Sequence, residues 1–323
     1  DGSTNPPAGA NNYVMALGTN DQLLFWNLHI DWGDPGNSFI TDPPTPISVA
    51  AFTEECQAYY RNACIPQGGS TTKLESLGDR PMFRLPYRNF GDHEALVLSH
   101  SIETDGEISG IRWYEIRDPG GTPTIYQSGT YSPDSRYRWM GSMAMDRVGN
   151  MAVGYSVSDS SIDPSIWYTG RLVTDPLNEL AQSEEVIQNG TGSQTDGLQR
   201  WGDYSSMSVD PVDDCTFWYT QEYLTEDGSF NWHTRIASFA YPSCFCAALA
   251  PTGLTADVSG NNAIQLDWSV ADGATEYRIY RSTTPGTGYS QVDATTDTSY
   301  LDASGLHGGI TYYYVVTTYD GSL

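Results

Sequence analysis

The sequence predicts an all-β protein in two parts, a β-propeller followed by a β-sandwich. Three observations carry this. The 323 residues include 22 Tyr and 9 Trp among 32 Gly and 18 Pro, the composition of many short strands joined by tight turns. Residues 1–247 carry motifs that return along the chain. Residues 248–323 alternate apolar and polar positions with period 2.

The repeats come first. SMAMD at 142–146 recurs as SMSVD at 206–210. Both follow an Arg-Trp pair, Arg138-Trp139 and Arg200-Trp201, and both lead through a turn into an apolar strand. A weaker copy, DRPMFRLPYRNFGDHEALVLSHS, starts at Asp79. A second motif follows each time: IRWYEIRDP at 111–119, SIWYTGRLVTDP at 165–176 and NWHTRIASFAYP at 231–242. LLFWNLHIDWGDP at 23–35 reads as the same strand from a preceding unit, which makes Trp26, Trp113, Trp167 and Trp232 equivalent. Units of roughly 55–65 residues with about four strands each fit propeller blades. Four units are visible, the first one partial. Closure removes sheet edges, so the expectation is that further blades precede Asp1.

The second part opens at APTGLTADVSG. IQLDW, YRIYR, TSYLD and TYYYVVTTYD supply alternating strands separated by turn-rich gaps. PTGLTA, Trp268, YRIYRS and GLHGGITYYYVV stand in the order of a fibronectin type III domain, which this region resembles. That resemblance implies a tyrosine-corner role for Tyr312. It also implies a last strand that residues 248–323 lack, so an edge completed by another chain is expected as one option.

Charge and cysteines set the compartment and exclude partners. The formal charge is −25, with 15 basic residues and Lys73 the only lysine. Nucleic acid and anionic membrane surfaces would be repelled. No apolar run is long enough to span a bilayer, so membrane insertion is not expected. Calcium is the cofactor that carboxylate-rich turns such as DPVDD at 210–214 could hold; a solvated turn is the alternative. Cys56 and Cys64 flank a short loop that closes easily as a disulfide. Cys215 is expected to pair with Cys244 or Cys246, leaving one cysteine with a partner outside this sequence. The whole pattern reads as secreted, extracellular or cell-surface.

GDRPMFRLPYRNFGDHEALVLSHS, RWMGSMAMDRVGN, GTGSQTDGLQRWGDYSSMSVDP and DDCTFWYTQEY resemble a group of secreted bacterial proteins of sialidase-like propeller type, mostly without assigned function. The repeat alignment puts Arg80, Arg138 and Arg200 just before the inner strand of successive units, on one rim. Three guanidinium groups there would suit a ligand carboxylate. The resemblance implies a tyrosine nucleophile with a carboxylate partner, and Tyr204 with Asp203 is the one pair that fits. Neighbours on an extended strand face apart, so these two share a site only on a bent loop. An inter-blade ion pair is the competing reading for each arginine. The sialidase Asp-box is not met: SPDSRYRW has Arg136 where Gly belongs.

Three functions compete. The first is a noncatalytic extracellular binding, adhesion or assembly protein, its propeller a platform for a glycan or a cell-surface protein and its last module a spacer. The second is a sialidase-like glycan hydrolase. The third is a self-assembling protomer of a surface layer or filament. With no catalytic signature met, the noncatalytic reading leads.

Overall fold

The computed structural model describes residues 2, 4–59, 63–195, 197, 199–246, 251–260, 262–271 and 273–319. It divides into two units, Asp1–Tyr241 and Pro242–Leu323. The break falls six residues before the expected one at 247/248. Strands dominate, and the helix Pro242–Cys246 is a single short turn. No helix among the described residues is long and apolar enough to cross a membrane.

Among the described residues the first unit contains four antiparallel sheets of three or more strands in chain order, and a two-stranded hairpin besides. The first holds Asn12–Leu17, Gln22–His29, Phe39–Ile40 and Thr45–Ser48. The second runs Tyr87–Asn89, Glu94–Thr104, Ile108–Arg117 and Thr124–Tyr131, with Thr53–Glu54 added against Glu94–Thr104. The third is a four-strand meander: Tyr137–Met145, Met151–Asp159, Ile162–Arg171 and Glu185–Gln188. The fourth is Ser206–Val209, Phe217–Tyr223 and His233–Phe239. None of these sheets closes into a barrel.

Consecutive sheets pack on one another through separate apolar layers. Leu23 and Phe25 of the first meet Leu96, Leu98 and Tyr114 of the second. Ala95, Val97 and Trp113 of the second meet Met143, Val153 and Tyr155 of the third. Ala144 and Ile166 of the third meet Met207, Phe217 and Tyr219 of the fourth. This is why the strands of the two middle sheets are apolar on both faces. Hydroxyls stitch the layers where backbone ladders cannot. Ser142 Oγ accepts from Met207 N at 2.9 Å, Ser205 Oγ donates to Met140 O at 3.0 Å, and Ser101 Oγ accepts from Met140 N at 3.2 Å. The serine opening the SMAMD motif is thus a cross-sheet ligand for the next copy.

The equivalence of the four tryptophans holds only in part. Trp113 and Trp167 occupy the third strand of their sheets, and Trp232 directly precedes the third strand of the fourth. Trp26 lies instead on the second strand of the first sheet. Trp113 is buried between sheets, whereas Trp232 is nearly half exposed.

A hairpin, Ala63–Gln67 with Ser70–Glu75, reaches across to the third sheet and to the segment that follows it. Gln67 exchanges hydrogen bonds with the backbone of Gln194 at 2.9 and 2.7 Å, and Ser158 Oγ donates to Pro66 O at 2.6 Å. Its Ile65 and Leu74 join Met82, Trp139, Met140, Trp201 and Leu224 in a further core. The hairpin begins at the Cys56–Cys64 disulfide. Cys215 and Cys244 are also disulfide-bonded. The Cys246 side chain lies outside the described residues. Disulfides of this kind belong to an oxidising compartment.

In the second unit, Thr255–Val258, Ile264–Asp267 and Ser299–Asp302 form one sheet. Ser290–Thr295, Glu276–Ser282 and Tyr313–Tyr319 form the other. Leu266, Trp268, Tyr277, Ile279 and Val316 fill one core between them. Buried Asp302 crosses that core, accepting from Arg281 Nη1 and Tyr314 Oη at 2.7 Å each. Tyr312 Oη accepts from His307 N at 3.0 Å and pins the turn before the last strand.

Candidate functional site

The segment before the fourth sheet turns sharply. Gly202 and Asp203 both take left-handed backbone angles, φ 44° and 53°. Glycine adopts this freely; aspartate does so at a cost that short-range hydrogen bonding offsets. Asp203 N donates to Trp201 O at 2.5 Å and Tyr204 N to Gly202 O at 2.6 Å. This is the bent loop that Asp203 and Tyr204 need if they are to share a site.

Tyr204, 47% exposed, lines a cavity of about 370 Å³. Its walls come from Tyr13–Met15 of the first sheet, from Leu98 of the second and from the loop Pro81–Leu85. Phe83 is 52% exposed there. The Tyr204 hydroxyl also partners Arg80. Arg80 in turn forks onto Asp79, with Nε and Nη2 each 2.7 Å from a carboxylate oxygen. That bond keeps Asp79 below the ordinary carboxylate range and raises Arg80.

Arg200 stands on the same bend. Its Nε lies 3.0 Å from Glu75 Oε1, and its Nη2 donates to Asp203. Glu222 accepts from Gly202 N at 2.8 Å. Burial pushes the Glu222 carboxyl up to about 7, with the Gly202 hydrogen bond opposing and the neighbouring Asp203 charge adding to the rise. Two unlike carboxyls therefore meet at one bend. Asp203 faces an arginine, while Glu222 still holds its proton near neutrality.

Arg138 does not join them, which corrects the three-arginine rim. Its side chain has no exposed surface. It bonds Glu184 at 2.6 and 2.8 Å and Asp134 at 2.8 Å. Burial alone would lower its pKa, but Glu184 and Asp134 outweigh that and raise it. The physical reason is register. Arg138 lies inside the strand Tyr137–Met145, while Arg80 and Arg200 lie on loops ahead of theirs. Arg138 is thus held by an ion pair within its own sheet, which fits neither the ligand rim nor the inter-blade pair that competed with it.

Of the nominated residues the structure gathers Arg80, Arg200, Asp203 and Tyr204. Sequence reasoning missed Glu75, Glu222 and Phe83. Glu222 lies in DDCTFWYTQEY, but nothing there marks it as a site residue, since only the cross-strand fold brings it to Gly202. The carboxylates of DPVDD also have protein partners. Asp210 caps Val212 N, Asp213 caps Cys215 N and Thr216 N, and Asp214 binds Arg88.

No family model matches the chain. Short stretches are similar to amylopullulanases. The match to that of Thermoanaerobacter thermohydrosulfuricus is 42% identical over 64 residues, 20% of this chain and 4% of that protein. Those of Thermoanaerobacterium saccharolyticum and Thermoanaerobacterium thermosulfurigenes are 32% identical over 74 residues and 36% over 75, each 23% of this chain. The matched stretch spans only 4 to 6% of these relatives' own length.

Proposed function

We propose that this chain is an extracellular carbohydrate-associated protein. Its first unit is a propeller-type platform that binds a neutral glycan at the Tyr204 cavity. Its second unit is a fibronectin type III-like spacer. The carrying observation is that Tyr204 and Phe83, each about half exposed, line one cavity with the Arg80–Asp79 fork beside it. Aromatic faces take the apolar face of a sugar ring, and the fork offers donors and acceptors for its hydroxyls.

Charge decides the ligand class. Arg80 and Arg200 are each neutralised by carboxylates, Arg138 is buried, and the chain carries −25. An acidic sugar would meet net repulsion, so the reading departs from a sialidase. The amylopullulanase matches support a carbohydrate context, and they cover a length of chain suited to one ancillary module. The disulfides support an extracellular setting.

A glycan array with paired neutral and sialylated members tests this. Retention on neutral glycans that weakens when sialic acid is added is the expected result. Retention confined to sialylated members would sink the proposal.

One observation favours a second reading, glycan hydrolysis. Glu222 accepts from Gly202 N, and burial with the neighbouring Asp203 charge raises its carboxyl to about 7. Turnover of a bound glycan, lost in Glu222→Gln with binding kept, would establish it. Binding without turnover in wild type would remove it.

A further inference from the structure

Glu55 is fully buried, and its Oε1 lies 3.3 Å from Cys56 Sγ and 3.2 Å from Cys64 Sγ. Its other oxygen, Oε2, makes no hydrogen bond of ordinary geometry, and the Ser109 hydroxyl is the one polar side chain that opposes the rise of the carboxyl. A carboxyl in such a position is costly to bury, and covering a disulfide does not require one. The surroundings do not offset it with positive charge. Among the described residues the charged or titratable groups facing Glu55 are Glu103, on the strand Glu94–Thr104, and Tyr137, on Tyr137–Met145; Ser109 adds a hydroxyl. Gly78 closes the remaining side, where a Cβ would stand 2.6 Å from Glu55 Cβ. The two residues differ in exposure: Cys56 is 2% exposed, whereas Cys64 is half-buried.

We propose that the Cys56–Cys64 disulfide is a thiol-exchange site whose departing sulfur, Cys56 Sγ, takes its proton from the Glu55 carboxyl. The substrate class is a small thiol or dithiol. A thiolate attacks Sγ of the less buried Cys64, a mixed disulfide forms, and the Cys56–Cys64 bond breaks with its electron pair on Cys56 Sγ. Glu55 transfers its proton to that thiolate, leaving a carboxylate that regains a proton from solvent. With a dithiol, the second thiolate then displaces Cys64 Sγ, which is protonated by water. The cysteines gain two electrons and the dithiol becomes a cyclic disulfide. Proton supply matters because a thiolate in an acidic, desolvated site is a poor leaving group. Burial and then Glu103 push the Glu55 carboxyl up to about 8, so the proton is present at neutral pH.

The test is reduction of the intact protein by dithiothreitol between pH 6 and pH 10, quenched by alkylation and read by peptide mass at Cys56 and Cys64. Rates are divided by the thiolate concentration at each pH. Wild type is expected to react at a rate proportional to dithiothreitol, and its corrected rate should fall above about pH 8. Glu55→Gln should give a flat profile, roughly 10-fold or more below wild type at pH 7. Cys215 and Cys244, both fully buried, should stay oxidised throughout. A flat wild-type profile overturns the proposal even if the variant does not fold. So does a rate independent of dithiothreitol, which would mean that unfolding limits access. An unchanged profile in Glu55→Gln does the same.

Discussion

The indole rings of Trp139 and Trp201, from successive copies of the Arg-Trp pair, meet with centroids 6.2 Å apart. Both are fully buried among Ile65, Leu74, Met82, Met140 and Leu224, and Trp201 Nε1 donates to Ser156 Oγ at 3.0 Å. The repeated tryptophan is therefore a packing device that draws the hairpin, the third sheet and the bend before the fourth together. Trp201→Ala should destabilise the protein by about 3–5 kcal/mol in urea unfolding. It should also loosen Asp203 and Tyr204, two and three residues on.

Arg88 and Asp214 make the second long-range tie. Arg88 is 4% exposed and forks onto Asp214 at 2.6 and 2.7 Å, joining the second sheet to the turn of DPVDD. Asp214→Asn leaves a buried guanidinium without its counter-charge. The expected loss is about 3 kcal/mol of stability, read from the urea midpoint. A change within experimental error would mean that the pair relaxes into water.

Stability should fall as pH rises toward alkaline. Burial raises Glu55 to about 8, Glu222 to about 7 and Asp146 to about 6. In each case the folded state holds its proton to a higher pH than the unfolded chain does. Each contribution is whole below the ordinary carboxylate range and is lost as pH climbs through the folded value. Urea midpoints should therefore decline between about pH 4.5 and pH 8. Glu55→Gln should flatten the upper part of that decline.

In the second unit, Tyr312→Phe removes one hydrogen bond, from His307 N to Tyr312 Oη. The fold should persist with about 1 kcal/mol less stability, seen as a lower thermal midpoint of that unit. An unchanged midpoint would make the bond incidental.

Much of this was legible in the sequence. SMAMD and SMSVD do lie on matching first strands of successive sheets, where Met143 and Met207 are both buried. The alternation after residue 250 does give two three-stranded sheets sharing a core around Trp268. Other features were not legible, because they depend on register and cross-strand distance. Aligning Arg138 with Arg200 by their tryptophans hid that one lies within a strand and the other on a loop. Trp26 matched by composition but sits one strand further in. Glu222 sits in DDCTFWYTQEY with nothing there to mark it as a site, Glu55 lies outside the motifs, and only the packed structure buries one against Gly202 and the other against a disulfide.

The central claim is that the cavity beneath Tyr204 and Phe83 receives a neutral sugar. Calorimetric titration of a neutral oligosaccharide drawn from the array, into wild type and into the Phe83→Ala, Tyr204→Ala double variant, tests it most directly. Saturable heat in wild type, with affinity at least about 10-fold weaker in the double variant, is the predicted result. Equal affinity in both proteins would place the ligand elsewhere and contradict the account.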